Sequence, residues 1–295
     1  MSGLKAIRRR ITSVKNTKQI TRAMKLVSAA KLRKAQDAAL NGRSFADQLK
    51  LSLETIQREL PPDFTHPLLD TSRPVRRRRV IVMAGERGLC GAYNTNVIKL
   101  VQAHEGEALG TARVEIVPVG KQAANACKRF GWATTSFEPT FGEDASQWPV
   151  QAIAASLLAD YVKGEFDELV IYYTQFVSAM TLLATRMVVL PFQAQTPTPN
   201  EAAKAQEGQI QVTRFEPRPD LILEKLLPLL LGTQLRQAGL EAKASEHSAR
   251  MTAMDSATRN ADDLIGKLRL FYNRARQSAI TRELIDIVGG AEAIS

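Results

Sequence analysis

Histidine and cysteine are scarce in this chain: three His and two Cys among 295 residues. His66, His104 and His247 are scattered, so no histidine-centred catalytic cluster suggests itself. Cys90 and Cys127 form no C-x-x-C pair and have no His at ligand spacing. That argues against a metal site and reads both as small buried residues. No apolar run reaches the roughly 18 residues that cross a bilayer. The longest candidates, Leu221–Leu231 and Met180–Phe192, are broken by Glu224, Lys225, Pro228 and Arg186. The N-terminus is Arg-rich and acid-poor but has no compact apolar stretch or small-residue cleavage site, so a signal peptide is not expected. Its helical pattern also runs far past the length of a cleavable leader. The carboxylates offer no persuasive acid/base pair; Asp262 and Asp263 are adjacent on a helix and point to different sides. No catalytic residue, cofactor or metal is therefore assigned.

Proline is missing from both ends. From Gly3 to Leu60 there is no proline, and Gly42 is the one interior glycine. Apolar residues recur in 3–4 steps at Leu4, Ile7, Ile11 and Val14, then at Ile20, Met24 and Val27, and again at Leu49, Leu53, Ile56 and Leu60. An Ala-rich stretch between them (Ala29, Ala30, Ala35, Ala38, Ala39) would let a partner backbone approach closely. The second such region, about Ala242 to Val288, places Met254, Ala257, Ala261, Leu264, Leu268, Phe271 and Ala275 on one seam. Some 55 residues of helix span roughly 80 Å. Most of a helix of that length must protrude or pair with another long helix, and an antiparallel rod of the two ends is the picture this invites. Pro228, Gly232 and Gly239 lie ahead of the second seam, and a kink or break is expected near Pro228.

Charge is unevenly placed. The net charge is +10, yet residues 1–50 hold 13 Lys/Arg against 2 Asp/Glu, or +11, leaving about −1 for the rest. The first helix therefore faces an acidic or polyanionic partner, or water. Arg76–Arg79 reads as a solvated charge run, with anionic lipid or nucleic acid as the alternative.

Between the helices, strands and helices alternate. Strands are expected at Val80–Ala84, Arg113–Val119, Glu168–Thr174 and Leu182–Leu190. Helices are expected near Asn94–Ala103, Lys121–Phe130 and Pro149–Val162. This order implies an open, largely parallel sheet. Gln195–Gly208 reads as a polar loop and Gln209–Phe215 as an edge strand. The fold class is α/β: a long antiparallel left-handed coiled coil plus a Rossmann-like open sheet. The boundaries are 1–60, 75–215 and 216–295.

The loop Gly85-Glu-Arg-Gly-Leu-Cys-Gly91 joins a strand to a helix and could cradle a phosphate. Its spacing is G-x-x-G-x-x-G, with Arg87 where the dinucleotide fingerprint needs glycine. Val117, Pro118 and Val119 stand where a ribose-binding acid would be. A tight turn is the better reading.

Four segments carry a family resemblance. N-T-K-Q-I-T-R-A-M-K-L-V-S-A-A-K-L-R-K-A (Asn16–Ala35) resembles the N-terminal helix of the γ subunit of F-type ATP synthases. Y-N-R-A-R-Q-S-A-I-T-R-E-L-I-D-I-V-G-G-A (Tyr272–Ala291) is similar to that family's C-terminal signature, through Ile280, Thr281, Glu283, Asp286, Gly290 and Ala291. E-R-G-L-C-G-A-Y-N (Glu86–Asn94) and S-E-H-S-A-R-M-T-A-M (Ser245–Met254) resemble its central loop and upstream C-terminal helix. The resemblance implies a non-catalytic rotor shaft inside an α/β hexamer. A globular foot would rest on the membrane c-ring and bind the ε subunit. It implies membrane attachment through partners only, at the cytoplasmic face of the inner membrane, and no nucleic acid. It further implies β-subunit contacts at Met24, Lys25, Arg250, Arg276, Gln277, Thr281 and Glu283. Foot contacts would fall at Gly88, Cys90, Gly91, Arg214, Phe215 and Glu216. The apolar C-terminus, Ile285–Ile294, would turn in an apolar bearing. Two rivals stand beside it. A Rossmann-type enzyme with helical arms would bind nucleotide tightly. A basic coiled-coil nucleic-acid binder would show salt-sensitive binding.

Overall fold

The computed structural model describes residues 2–60, 64, 66–111, 113–135, 141–142, 144–192 and 219–292. The chain begins in a single helix, α1 (Ser2–Glu59), and its last described element is another, α5 (Pro219–Glu292). Between them come β1 (Arg78–Met83), α2 (Tyr93–Glu105), β2 (Val114–Val119), α3 (Lys121–Phe130), α4 (Val150–Val162), β3 (Glu168–Phe176) and β4 (Leu182–Leu190). The expected loop Gln195–Gly208 and edge strand Gln209–Phe215 lie outside the described residues.

The chain divides into two compact units. A coiled-coil unit comprises Met1–Ala30, Leu89–Gly91 and Arg250–Ser295; a sheet unit comprises Lys31–Gly88 and Ala92–Ala249.

In the sheet unit the strand order is β2-β1-β3-β4. The β1–β2 and β1–β3 pairs are parallel, whereas β3–β4 is an antiparallel hairpin. The hairpin follows from the short link at Val177–Thr181, too short for a crossover. Side chains alternate between faces. Ile81, Met83, Val117, Val119, Leu169, Ile171 and Tyr173 join a core with α4 and with residues 39–56 and 223–242 of the long helices. Val80, Val82, Val114, Ile116, Val170 and Tyr172 face α2 and α3.

Two expectations are corrected in part here. Of the kink or break expected near Pro228, the break is absent: helix α5 runs unbroken across it. An interior proline costs about 3 kcal/mol. However, Leu227, Leu230 and Leu231 beside it are essentially inaccessible, and each buried leucine stabilises by about 1.5–3 kcal/mol. The arginine run is solvated only at its start: Arg76 and Arg77 are exposed, whereas Arg78 and Arg79 are half-buried. Arg78 binds Glu168 at 2.6 Å and Glu105 at 3.2 Å, Arg79 binds Glu115 at 2.8 Å and also Asp160, and the Arg77 guanidinium donates to the Gly164 carbonyl at 2.6 Å. These cations are used inside the fold. Buried Glu105 also accepts from the Tyr172 hydroxyl at 2.8 Å, and burial followed by that bond pushes the phenol's pKa up.

Candidate partner-contact surface

The buried face of α1 keeps a strict heptad. Leu4, Ile7, Ile11, Val14, Lys18, Thr21, Lys25 and Ser28 form its stretch in the coiled-coil unit, each buried or half-buried. Steps of 3 and 4 average 3.5 residues, the period of a left-handed supercoil. On α5 the matching stripe is Met254, Thr258, Ala261, Ile265, Leu268, Tyr272, Ala275 and Ala279.

The sequence expectation had the period right and placed Leu4, Ile7, Ile11, Val14, Met254, Ala261, Leu268 and Ala275 in the seam, but it misplaced four other residues. Ile20 and Val27, expected in the seam, are 60% and 56% exposed; Leu264 and Phe271 are 37% and 59% exposed. Polar residues take the seam instead. Lys18 pairs with Asp262 at 2.6 Å, Thr21 with Thr258 at 2.8 Å, and Lys25 with Asp255 at 2.5 Å. As the α1 numbers rise the α5 numbers fall, so the three rungs define an antiparallel register. A sequence signal for them did exist: Lys18 and Lys25 are seven apart, as are Asp255 and Asp262, with opposite signs.

The coiled-coil unit is thus polar along part of its seam and carries hydrophobes outside it. Ile20, Leu26, Val27, Leu270, Phe271, Ile280, Leu284, Ile285 and Ile287 are all exposed. Scattered exposed hydrophobes need no explanation, but this concentration on one unit marks an interaction surface.

The sequence-derived contact residues fall unequally on it. Met24 is half-buried beside the seam. Lys25 is spent on Asp255, whose carboxyl is held below its ordinary pKa by that hydrogen bond. Arg250 is only 8% exposed, so its guanidinium offers little outward surface. Arg276, Gln277 and Thr281 are exposed. The Thr281 hydroxyl donates to the Gln277 carbonyl at 3.0 Å, one turn back. The side chain of Glu283 lies outside the described residues.

The 85–91 loop is more revealing than expected. Leu89 takes a left-handed φ of 60° and stands 65% exposed, followed by Gly91 at φ 58°. A leucine held there is a strained outlier, and such strain clusters at functional sites. Cys90 is buried at 1%, so its thiol cannot be the foot contact expected of it. Gly88 and Gly91 are exposed. Moreover, Leu89–Gly91 groups with the coiled-coil unit rather than the sheet unit. Arg214, Phe215 and Glu216 lie outside the described residues.

The loop does not form a phosphate cradle. The Gly85 N–H donates to Asn94 Oδ1 at 2.9 Å, and its carbonyl accepts from Gln122 N–H at 3.0 Å. The space bounded by Ala84, Glu86, Gly120 and Glu246 is about 20 Å³, room for about one water. A side chain on Gly85 would lie 3.1 Å from the Glu246 carboxyl. Two carboxylates line the cleft that a nucleotide's phosphates would have to enter.

A family model described as ATP synthase matches residues 3–294. The ATP synthase gamma chain of Heliobacterium modesticaldum is 42% identical over 294 residues, covering 100% of both chains. That of Chlorobium phaeobacteroides is 38% identical over 298 residues, covering 100% of this chain and 99% of the relative. Among solved structures, a chain of the Euglena gracilis mitochondrial ATP synthase (OSCP/F1/c-ring, rotational state 3) superposes with a TM-score of 0.67. The match is 21% identical and covers 99% of this chain and 95% of that one. A chain of the central stalk/c-ring structure from Tetrahymena thermophila gives 0.58 at 19% identity, covering 81% of this chain and 99% of that one.

Proposed function

The chain belongs to the γ-chain family of ATP synthases, and from that premise we propose that its two long helices work as the rotor shaft of an F-type enzyme. As a γ chain it is a central-stalk subunit without a catalytic site. Its partners are the catalytic α/β hexamer around the shaft, with the c-ring and the ε subunit at the foot. Attachment to the cytoplasmic face of the inner membrane runs through those partners; none of the described helices is long and apolar enough to cross a membrane.

One observation carries the reading: the coiled-coil unit pairs partly exposed charges across its seam and carries exposed hydrophobes outside it. Such a pair of helices is built for a second, outer partner. Ion flow turns the ring, the foot follows, and the shaft turns among three catalytic sites that it does not enter. Each orientation offers a given site different side chains. Shifting a two-state site from 1:99 to 99:1 needs about 5.5 kcal/mol of differential contact. A shaft alike on all sides could shift nothing. Arg276, Gln277, Thr281 and Glu283 supply polar contacts to the β subunits, Met24 and the outward Ile20 and Val27 supply apolar ones, and Lys25 and Arg250 hold the surface in shape. The strained Leu89 tip belongs with this surface. Arg214, Phe215 and Glu216 are kept for the foot.

Co-expression of the tagged chain with α and β subunits tests the assignment. A stable complex with both is expected. Recovery of the chain free of them, or bound to nucleic acid at physiological salt, would remove it.

A further inference from the structure

A cavity of about 340 Å³ lies in the sheet unit, lined by Lys31, Lys34, Asp144, Trp148, Lys243 and His247 with smaller apolar residues between. Its size falls in the roughly 300–1,000 Å³ range of small-molecule sites. We propose that it binds a small oligophosphate anion.

The sequence makes the space. Ala35 and Ala38 on α1 are too small to fill the gap beside Leu240 of α5. The floor is fixed. Trp148 stacks on Phe141 at 4.7 Å with an interplanar angle of 12°, and its indole N–H donates to the Gly142 carbonyl at 2.9 Å. A side chain at Gly239 would meet the Trp148 ring at 2.8 Å and Phe141 at 3.0 Å, so α5 clamps this aromatic pair from behind. A rigid floor spares the ligand the cost of ordering it.

The walls are cationic from two directions. Lys31 and Lys34 lie one turn apart on α1, and Lys243 and His247 one turn apart on α5. Asp144 is the one carboxylate among these lining residues; Glu246 sits 3.8 Å from the Lys243 ammonium. Arg236 donates to the Ala145 carbonyl, adding a further positive charge at the segment that carries Trp148. Ammonium groups approaching from two helices suit an anion whose charge is spread along several phosphates. A single carboxylate would engage one wall. The Trp148 and Leu240 surfaces leave room for an apolar or aromatic appendage, as on a nucleoside.

The chain has two tryptophans, so Trp132→Phe leaves Trp148 as the sole reporter. The full-length variant would be titrated, without divalent metal, with inorganic triphosphate and separately with ADP. A saturable change in Trp148 emission with either probe is expected. Tighter binding of ADP would mean that the aromatic floor takes the base; tighter binding of triphosphate would mean that charge does the work. Adding Lys34→Gln or Lys243→Gln should weaken binding about tenfold each, whereas Lys15→Gln should not. Circular dichroism would confirm the helices in every variant. Flat titrations with both probes, or equal affinity in the lysine variants, would overturn the proposal and leave the rotor assignment untouched.

Discussion

At the scale of single residues, two carboxylates are held low for different reasons. The hydrogen bond from Lys25, with Lys25 and Arg259 as nearby positive charges, favours ionised Asp255 in the fold. At Asp167, burial pushes the pKa up, but the backbone N–H groups of Arg77 and Arg76, with Arg73 at 2.7 Å, bring it below its ordinary value. Both contributions are complete above the ordinary carboxylate pKa of 3.8 and fade as pH falls through the lowered values. Helical circular dichroism followed from pH 7 downward should lose stability below about pH 4, with Asp255→Asn showing a smaller acid loss than wild type. An identical acid profile would mean that the rung is inert. Farther along α5, Gln277 and Thr281 are exposed, and the Thr281 hydroxyl donates to the Gln277 carbonyl within the helix. Gln277→Leu or Thr281→Val should therefore leave the thermal melt within about 0.5 kcal/mol of wild type. ATP synthesis in membrane vesicles should fall several-fold. Unchanged synthesis would show that these two side chains do not touch the catalytic subunits.

At the scale of elements, sheet and helices were largely readable from the sequence. The α3 and β4 limits matched, and β1, β2, α4 and the start of β3 were placed within two residues. Strand period and turn residues are local signals, and the tertiary structure did not contradict them. The long helices showed where such reading stops. Assigning apolar residues to a seam presumes one buried face; a helix with a second partner outside carries two. From Lys18 to Ser28 the outward face is the more apolar one, and the pattern followed Ile20 and Val27 instead of Thr21 and Ser28. A polar seam gives up stability for register. Lys25→Leu combined with Asp255→Leu should therefore leave the chain at least as stable as Asp255→Leu alone. Asp255→Leu on its own should lower stability only slightly, because this pair is partly exposed. Urea unfolding of the full chain reads both. A double variant less stable than the single would contradict the account of the ladder.

At the scale of the whole molecule, the +11 of the first fifty residues acquires an explanation. Two of its lysines are neutralised within the seam, and three more lysines, Lys31, Lys34 and Lys50, line cavities of the sheet unit. Of the other eight basic residues, Arg43 pairs with Glu241, and Lys5, Arg8, Arg9, Arg10, Lys15, Arg22 and Arg33 are exposed beside outward hydrophobes, a mixed face suited to an acidic partner surface. The two units divide the labour: one carries the outward apolar surface, the other the sheet with its internal arginine pairs. The most direct test fixes the α/β hexamer to a surface and attaches a bead to an exposed residue of the sheet unit, such as Ser178. With ATP present, the bead should turn in one direction in steps, three sites to a revolution. Sustained ATP hydrolysis with a stationary bead would contradict the rotor assignment.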